Sequence, residues 1–185
     1  MLRRSPGTCT RVSLRNRPSN VFEKLMSGGQ TGVDRAALDV AREFGIAAAG
    51  WCPHGRRAED GRLPEYYPLK ETPTPEYAQR TEWNIRDSDG TLVLTRGRPS
   101  EGTAFTIEVA RRLGKPCLVL EVAENPDASQ VGAWARTHQV RVLNVAGPRE
   151  SKCPGIYQHA LSFLREVLTG LQNRQGKESG GASPA

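Results

Sequence analysis

Val21-Phe22-Glu23-Lys24-Leu25-Met26-Ser27-Gly28-Gly29-Gln30-Thr31-Gly32-Val33-Asp34-Arg35-Ala36-Ala37-Leu38-Asp39-Val40 carries a short apolar run through a glycine-rich turn into an amphipathic stretch. The pattern predicts a strand over 21–26 and a helix over 31–44, with Val33, Ala36, Ala37, Val40 and Phe44 on one side and Gly45 as its stop. Gly28, Gly29 and Gly32 permit positive φ angles and close approach of another molecule. The helix start behind them offers unpaired N–H groups and a positive dipole end, so the turn suits an anion. A plainer reading uses the same residues: Thr31 caps the helix, with Asp34 three positions on, and the glycines only make the turn. Both readings stand on the residues alone.

Working outward, strand and helix signals alternate. Residues 46–50 read as a second strand, 91–95 as a third, 117–122 as a fourth and 140–145 as a fifth. Helices are predicted from Pro75 to about Ser88, after a Gly- and Arg-rich turn at 96–103, from Asp127, and from about Gly155 to Leu168. The continuous apolar run at 117–122 is of the kind buried on both sheet faces. Trp134 and Phe163 read as core residues, and His138 as one at the interface of its helix. Five strands alternating with five helices imply a five-stranded parallel sheet covered on both faces, a Rossmann-like three-layer α/β/α domain. Ligands of such sheets sit beyond the carboxyl ends of the strands, where strand order reverses. With a 2-1-3-4-5 order, the turns at 27–32 and 96–103 would face each other directly across that crevice.

The chain has 185 residues and a formal charge of +6, but residues 1–20 hold Arg3, Arg4, Arg11, Arg15 and Arg17 and no acid. The remainder is almost neutral, which argues against a general nucleic-acid surface. Residues 1–20 and 171–185 are expected to be flexible extensions flanking a ligand-binding domain over 21–170. No apolar stretch approaches the ~18 residues of a membrane span, and Cys9, Cys52, Cys117 and Cys153 form no paired spacing, so a cytoplasmic protein is expected.

Residues 51–75 lack periodicity and are rich in proline, as functional loops often are. Within them Trp51, Arg56, Arg57, Glu59 and Asp60 gather an aromatic ring, two anion-binding forks and two carboxylates. The alternative is a solvated loop whose arginines pair with its own acids. Helix 75–88 places Arg80, Asn84 and Asp87 on one stripe with Trp83 adjacent. Cys52 and His54 have neither a zinc spacing nor a visible catalytic base, so no metal site is predicted and any catalytic residue is left unassigned. Protease, esterase and P-loop signatures are absent from the sequence.

SGGQTGVDRAALD at 27–39, GWCP-x-GRRAEDG at 50–61, Tyr67, Leu69 and Glu71, and RT-x-WN-x-RDSDGT at 80–91 together resemble the molybdenum carrier proteins, YpsA-like members of the SLOG superfamily. The resemblance runs from about 21 to 168. It implies a small phosphorylated nucleotide-like or pterin ligand over Gly28, Gly29, Gln30, Thr31 and Gly32, with molybdenum cofactor as cargo. Arg35, Arg56 and Arg57 would neutralise the phosphate, with Gly102 and Thr103 opposite, and Trp51, Glu59, Asp60, Arg80, Trp83 and Asn84 would form the pocket. A homo-oligomer is compatible with this picture.

Related lonely-guy enzymes hydrolyse nucleoside monophosphates at a GGxGTxxE turn, which makes nucleotide hydrolysis the alternative, assisted by Glu59, Asp60 or Glu71. Here that turn reads Ser100-Glu101-Gly102-Thr103, and the next glutamate, Glu108, is out of that spacing. The family usually has glycine at the Glu101 position and often lysine at the His54 position. Single-strand DNA binding, known elsewhere in the superfamily, is disfavoured by the neutral core.

Overall fold

The computed structural model describes residues 21–179, with side chains described through Arg174. The expectation of a flexible segment over 1–20 lies outside the described residues. The central sheet contains β1 (Lys24–Met26), β2 (Ala47–Ala49), β7 (Gly90–Thr95), β8 (Cys117–Glu121) and β9 (Val142–Ala146). All four pairings are parallel and the order is β2-β1-β9-β7-β8. Helices α1 (Val33–Glu43), α2 (Tyr77–Arg86), α3 (Glu101–Arg112), α4 (Ser129–Thr137) and α5 (Ile156–Ser179) cover it, giving the expected Rossmann-like architecture.

The main core joins Leu25, Leu92, Leu94, Leu143 and Val145 of the sheet to Val33, Ala36, Ala37 and Val40 of α1 and to Ile156, Ala160, Phe163 and Val167 of α5. Small residues on α1 let that helix approach closely, which is where helix–sheet packing gains most per contact. Gly45, at φ 65°, ends α1 as predicted. Gly114, at φ 63°, does the same beyond α3.

The structure departs from several expectations. The last strand, β9, lies between β1 and β7, so the first and third strands of the sheet are not neighbours. Polar side chains mark its insertion: Ser27 Oγ donates to the Val145 carbonyl at 3.1 Å, and Asn144 Nδ2 donates to Thr91 Oγ1 at 3.2 Å. β8 is an edge strand and leaves Val119 41 % exposed, so its apolar run marks one buried face and not two. α5 passes Leu168 and runs to Ser179 with Leu171 in the core, so the segment expected to be flexible from 171 is helical through 179. His138 is the exposed C-cap of α4, its ring 5.9 Å from that of Trp134.

Residues 51–72 are ordered as two miniature sheets. β3 (Trp51–Cys52) pairs in parallel with β6 (Lys70–Glu71), and β4 (Arg57–Ala58) forms a hairpin with β5 (Gly61–Arg62). Cys52, Leu63, Tyr67 and Leu69 pack with Leu38 of α1 as a satellite core.

Candidate functional site

Counting the sheet from β9 turns β2-β1-β9-β7-β8 into the order 3-2-1-4-5, with β9 as strand 1 and β7 as strand 4. In a Rossmann sheet of that order the connections leave the sheet in opposite directions between strands 1 and 4, which opens a crevice at their carboxyl ends. Here that position falls between β9 and β7. A cleft of about 520 Å³ is found there.

Four segments wall it. The end of β9 and the loop after it contribute Ala146, Gly147, Arg149 and Lys152; the start of α3 contributes Ser100 to Thr103, Phe105 and Thr106; α2 contributes Tyr77, Ala78, Arg80 and Thr81; Gln30 and Asp34 complete the lining. Gly147 is needed for the tight exit from β9, because a Cβ there would meet the Leu94 carbonyl at 2.4 Å and Val33 Cγ2 at 2.6 Å. Ser100 caps α3 by accepting from the Thr103 N–H at 3.4 Å. Among the described residues the N–H groups of Glu101 and Gly102 have no protein partner, so the positive end of α3 opens on the cleft. Arg149 and Lys152 add positive charge at the same place, and the Arg149 guanidinium lies 5.6 Å from the Tyr77 ring centre.

At the cleft floor, Asp34 Oδ2 accepts from Arg80 Nη1 at 2.8 Å and from the Gln30 N–H at 3.3 Å. Burial raises the Asp34 pKa, and the Arg80 charge and hydrogen bond oppose that rise. Gln30 Oε1 accepts from the N–H groups of Thr31 and Glu59, and among the described residues its buried Nε2 and the buried Arg80 Nε have no acceptor.

The chain matches the circularly permutated YpsA SLOG family over residues 25–168. It belongs to that family. The permutation in the family's description agrees with a Rossmann order that closes only when β9 is counted first. A crystal structure from Syntrophus aciditrophicus SB, named "Putative molybdenum carrier protein", is similar at 44 % identity and a TM-score of 0.78, covering 80 % of this chain and 96 % of that one. Among curated proteins none matches.

For this YpsA-type chain the structure sorts the residues singled out by sequence. Gln30, Arg80, Gly102 and Thr103 line the cleft. The glycine-rich turn mainly makes room for the protein's own side chains. A Cβ on Gly28 would fall 1.6 Å from Arg80 Nη1, and one on Gly29 would fall 2.5 Å from Leu69 Cδ1. Gly32, not Thr31, is the N-cap of α1; it makes no side-chain bond, and the Pro148 carbonyl accepts from the Val33 N–H at 3.3 Å. Thr31 Oγ1 instead accepts from the Glu150 N–H at 3.1 Å and bonds Glu59. Arg35 faces the other side of α1, held by the Gly29 carbonyl and by both oxygens of Asp60 at 3.2 Å.

The two adjacent arginines have separated. Arg56, 5 % exposed, donates to the carbonyls of Leu63, Pro64, Tyr67 and Leu69, and the Glu65 carboxylate lies 3.6 Å from its Nε, so its fork organises the loop. Arg57 is exposed and lies outside the cleft. Trp51 and Trp83 meet edge to face with centres 4.7 Å apart, while Trp51 Nε1 donates to Asp87 and Asn84 bonds the Trp51 backbone in both directions. These contacts dock the loop on α2, so the two tryptophans and Asn84 are not in the cleft lining, and Tyr77 and Phe105 supply its aromatic surface.

Of the three carboxylates considered for hydrolysis, Glu59 bonds Thr31 and Ser151, Asp60 pairs with Arg35 and Glu71 accepts from the Gly55 N–H. None of them lines the cleft. Among the cleft-lining residues that sequence reading did not assign to the site are Arg149, Lys152, Tyr77, Phe105 and Asp34. A reading that allowed the final strand to stand first would have drawn attention to the Gly147–Lys152 loop.

Proposed function

We propose that the cleft between β9 and β7 binds a phosphorylated heterocycle, with molybdenum cofactor as the cargo the protein carries. The observation that carries this reading is the convergence of Arg149 and Lys152 with the unpartnered N–H groups of Glu101 and Gly102 at the sheet's crossover. The phosphate sits against that helix start and those two cations, and the ring lies toward Tyr77 and Phe105. This moves the anion from the turn at 28–32, which the resemblance implied, to α3. The turn's Thr31 and Gln30 N–H groups are already engaged and Asp34 lies beneath them, whereas the α3 start is unoccupied by protein acceptors. Glu101 is a like charge beside that anion and tempers its affinity.

A carrier needs a cleft that holds its cargo without reacting; Glu59, Asp60 and Glu71 lie outside this lining, and its buried carboxylate, Asp34, is held by Arg80. Two assays test the reading. Mass spectrometry of small molecules released from purified protein should find a phosphorylated pterin or nucleotide-like compound. Incubation with nucleoside monophosphates should release no free base, and catalytic release would return the hydrolase reading.

A further inference from the structure

We infer that the Asp34–Arg80 pair reads the lactam edge of the ligand's ring, the adjoining N–H and C=O groups of an oxo-heterocycle. This rests on the cleft being a heterocycle site. The pair is joined end-on, through Oδ2 and Nη1 alone. Among the described residues Asp34 Oδ1 and Arg80 Nη2 have no hydrogen-bonding partner, and both side chains line the cleft. The floor therefore keeps one acceptor and one donor from the same ion pair available to a bound molecule.

Gln30 provides an independent pointer to that chemistry. It is 5 % exposed, lines the cleft, and its Nε2 has no acceptor because Oε1 is fixed by two backbone N–H groups. Arg80 Nε is buried without an acceptor as well. The floor is thus short of acceptors and has one carboxylate oxygen to spare. A ring carbonyl has two lone pairs and suits a site with several donors, while the ring N–H beside it suits Asp34 Oδ1. An amino-substituted edge such as that of adenine offers a single lone pair on its ring nitrogen and fits less well.

Inosine and adenosine 5′-monophosphates share phosphate and ribose and differ at this edge, so their binding to the full chain by calorimetry tests the inference. The inosine compound should bind at least about tenfold tighter, the scale of one or two hydrogen bonds. Gln30→Glu keeps Oε1 and replaces the Nε2 donor with an acceptor, and should reduce that ratio to below about threefold. If Gln30→Glu does not fold, Arg80→Lys keeps the charge facing Asp34 but has no second nitrogen in the place of Nη2, and should reduce the ratio equally. Equal binding of the two nucleotides by the parent, a preference for the adenosine compound, or a ratio unchanged in the folded variant overturns the inference. Failure of both nucleotides to bind also overturns it; the wider reading of the cleft falls only if pterin phosphates fail too.

Discussion

Arg80 Nη1 donates to Asp34 Oδ2 at 2.8 Å across the space that a side chain on Gly28 would fill. The pair is well buried, with side-chain exposures of 15 % for Arg80 and 3 % for Asp34. Gly28 therefore serves an ion pair. Gly28→Ala should push Arg80 aside and leave Asp34 buried without its counter-ion, at a cost approaching the ~3 to 5 kcal/mol of breaking a buried pair. Thermal unfolding measures this. The same substitution in an Arg80→Ala background should cost far less, because the clash and the pair are already gone.

Arg80→Ala carries its own pH signature. Asp34 has a raised pKa from burial, restrained by Arg80, and losing Arg80 raises it further. A carboxyl group with a raised folded-state pKa contributes most below its unfolded value near about 4 and loses that contribution as pH climbs through the folded value. Urea denaturation should therefore find Arg80→Ala more damaging at neutral pH than at about pH 4. Equal damage at both would place the cost in lost packing.

Arg56 and Arg57 should respond oppositely to alanine. Removing the Arg56 fork leaves the carbonyls of Leu63, Pro64, Tyr67 and Leu69 without their donor, and a loss of about 3 kcal/mol or more is expected. Arg57→Ala, at an exposed position, should stay within about 0.5 kcal/mol of the parent. Both values come from equilibrium unfolding.

Glu59 ties the loop to two other segments. It bonds Thr31 and Ser151 and lies 3.9 Å from Arg149. Burial alone would raise its pKa, but the Ser151 and Thr31 hydrogen bonds and the Arg149 charge outweigh that and hold it below the usual carboxylate value. A lowered folded-state pKa contributes stability that is present above the unfolded value of about 4.3 and is lost as pH falls through the folded one. Protection of amides in residues 53–72, taken relative to intrinsic exchange at each pH, should fall over that acid range. Glu59→Gln should lower protection already at neutral pH and change it little on acidification.

The sheet and helices were legible because Val33, Ala36, Ala37 and Val40, or Ile156, Ala160, Phe163 and Val167, repeat at helical spacing and meet the same core. Strand order was not legible. Local periodicity records which face of β9 is buried and not which strands flank it, so the insertion of β9 between β1 and β7 is a tertiary fact. The site suffered most from that. Gln30, Arg80, Gly102 and Thr103, singled out from the motifs, line the cleft, yet the Arg149–Lys152 loop carries no motif of its own and gains meaning only beside β7. Arg56 misled for another reason: a guanidinium that collects carbonyls and one that collects phosphate look identical in a sequence.

Calorimetric titration of a pterin phosphate and of nucleoside monophosphates into the parent, Arg149→Ala and Lys152→Ala proteins tests the cleft assignment most directly. Charge-assisted hydrogen bonds worth about 1.5 to 3 kcal/mol predict saturable binding to the parent and a loss of about tenfold or more in each variant, with thermal unfolding unchanged in Lys152→Ala and slightly lowered in Arg149→Ala, which also loses its contacts with Glu59 and Tyr77. Binding that survives both substitutions intact, or no binding of any of these ligands to the parent, would contradict the account.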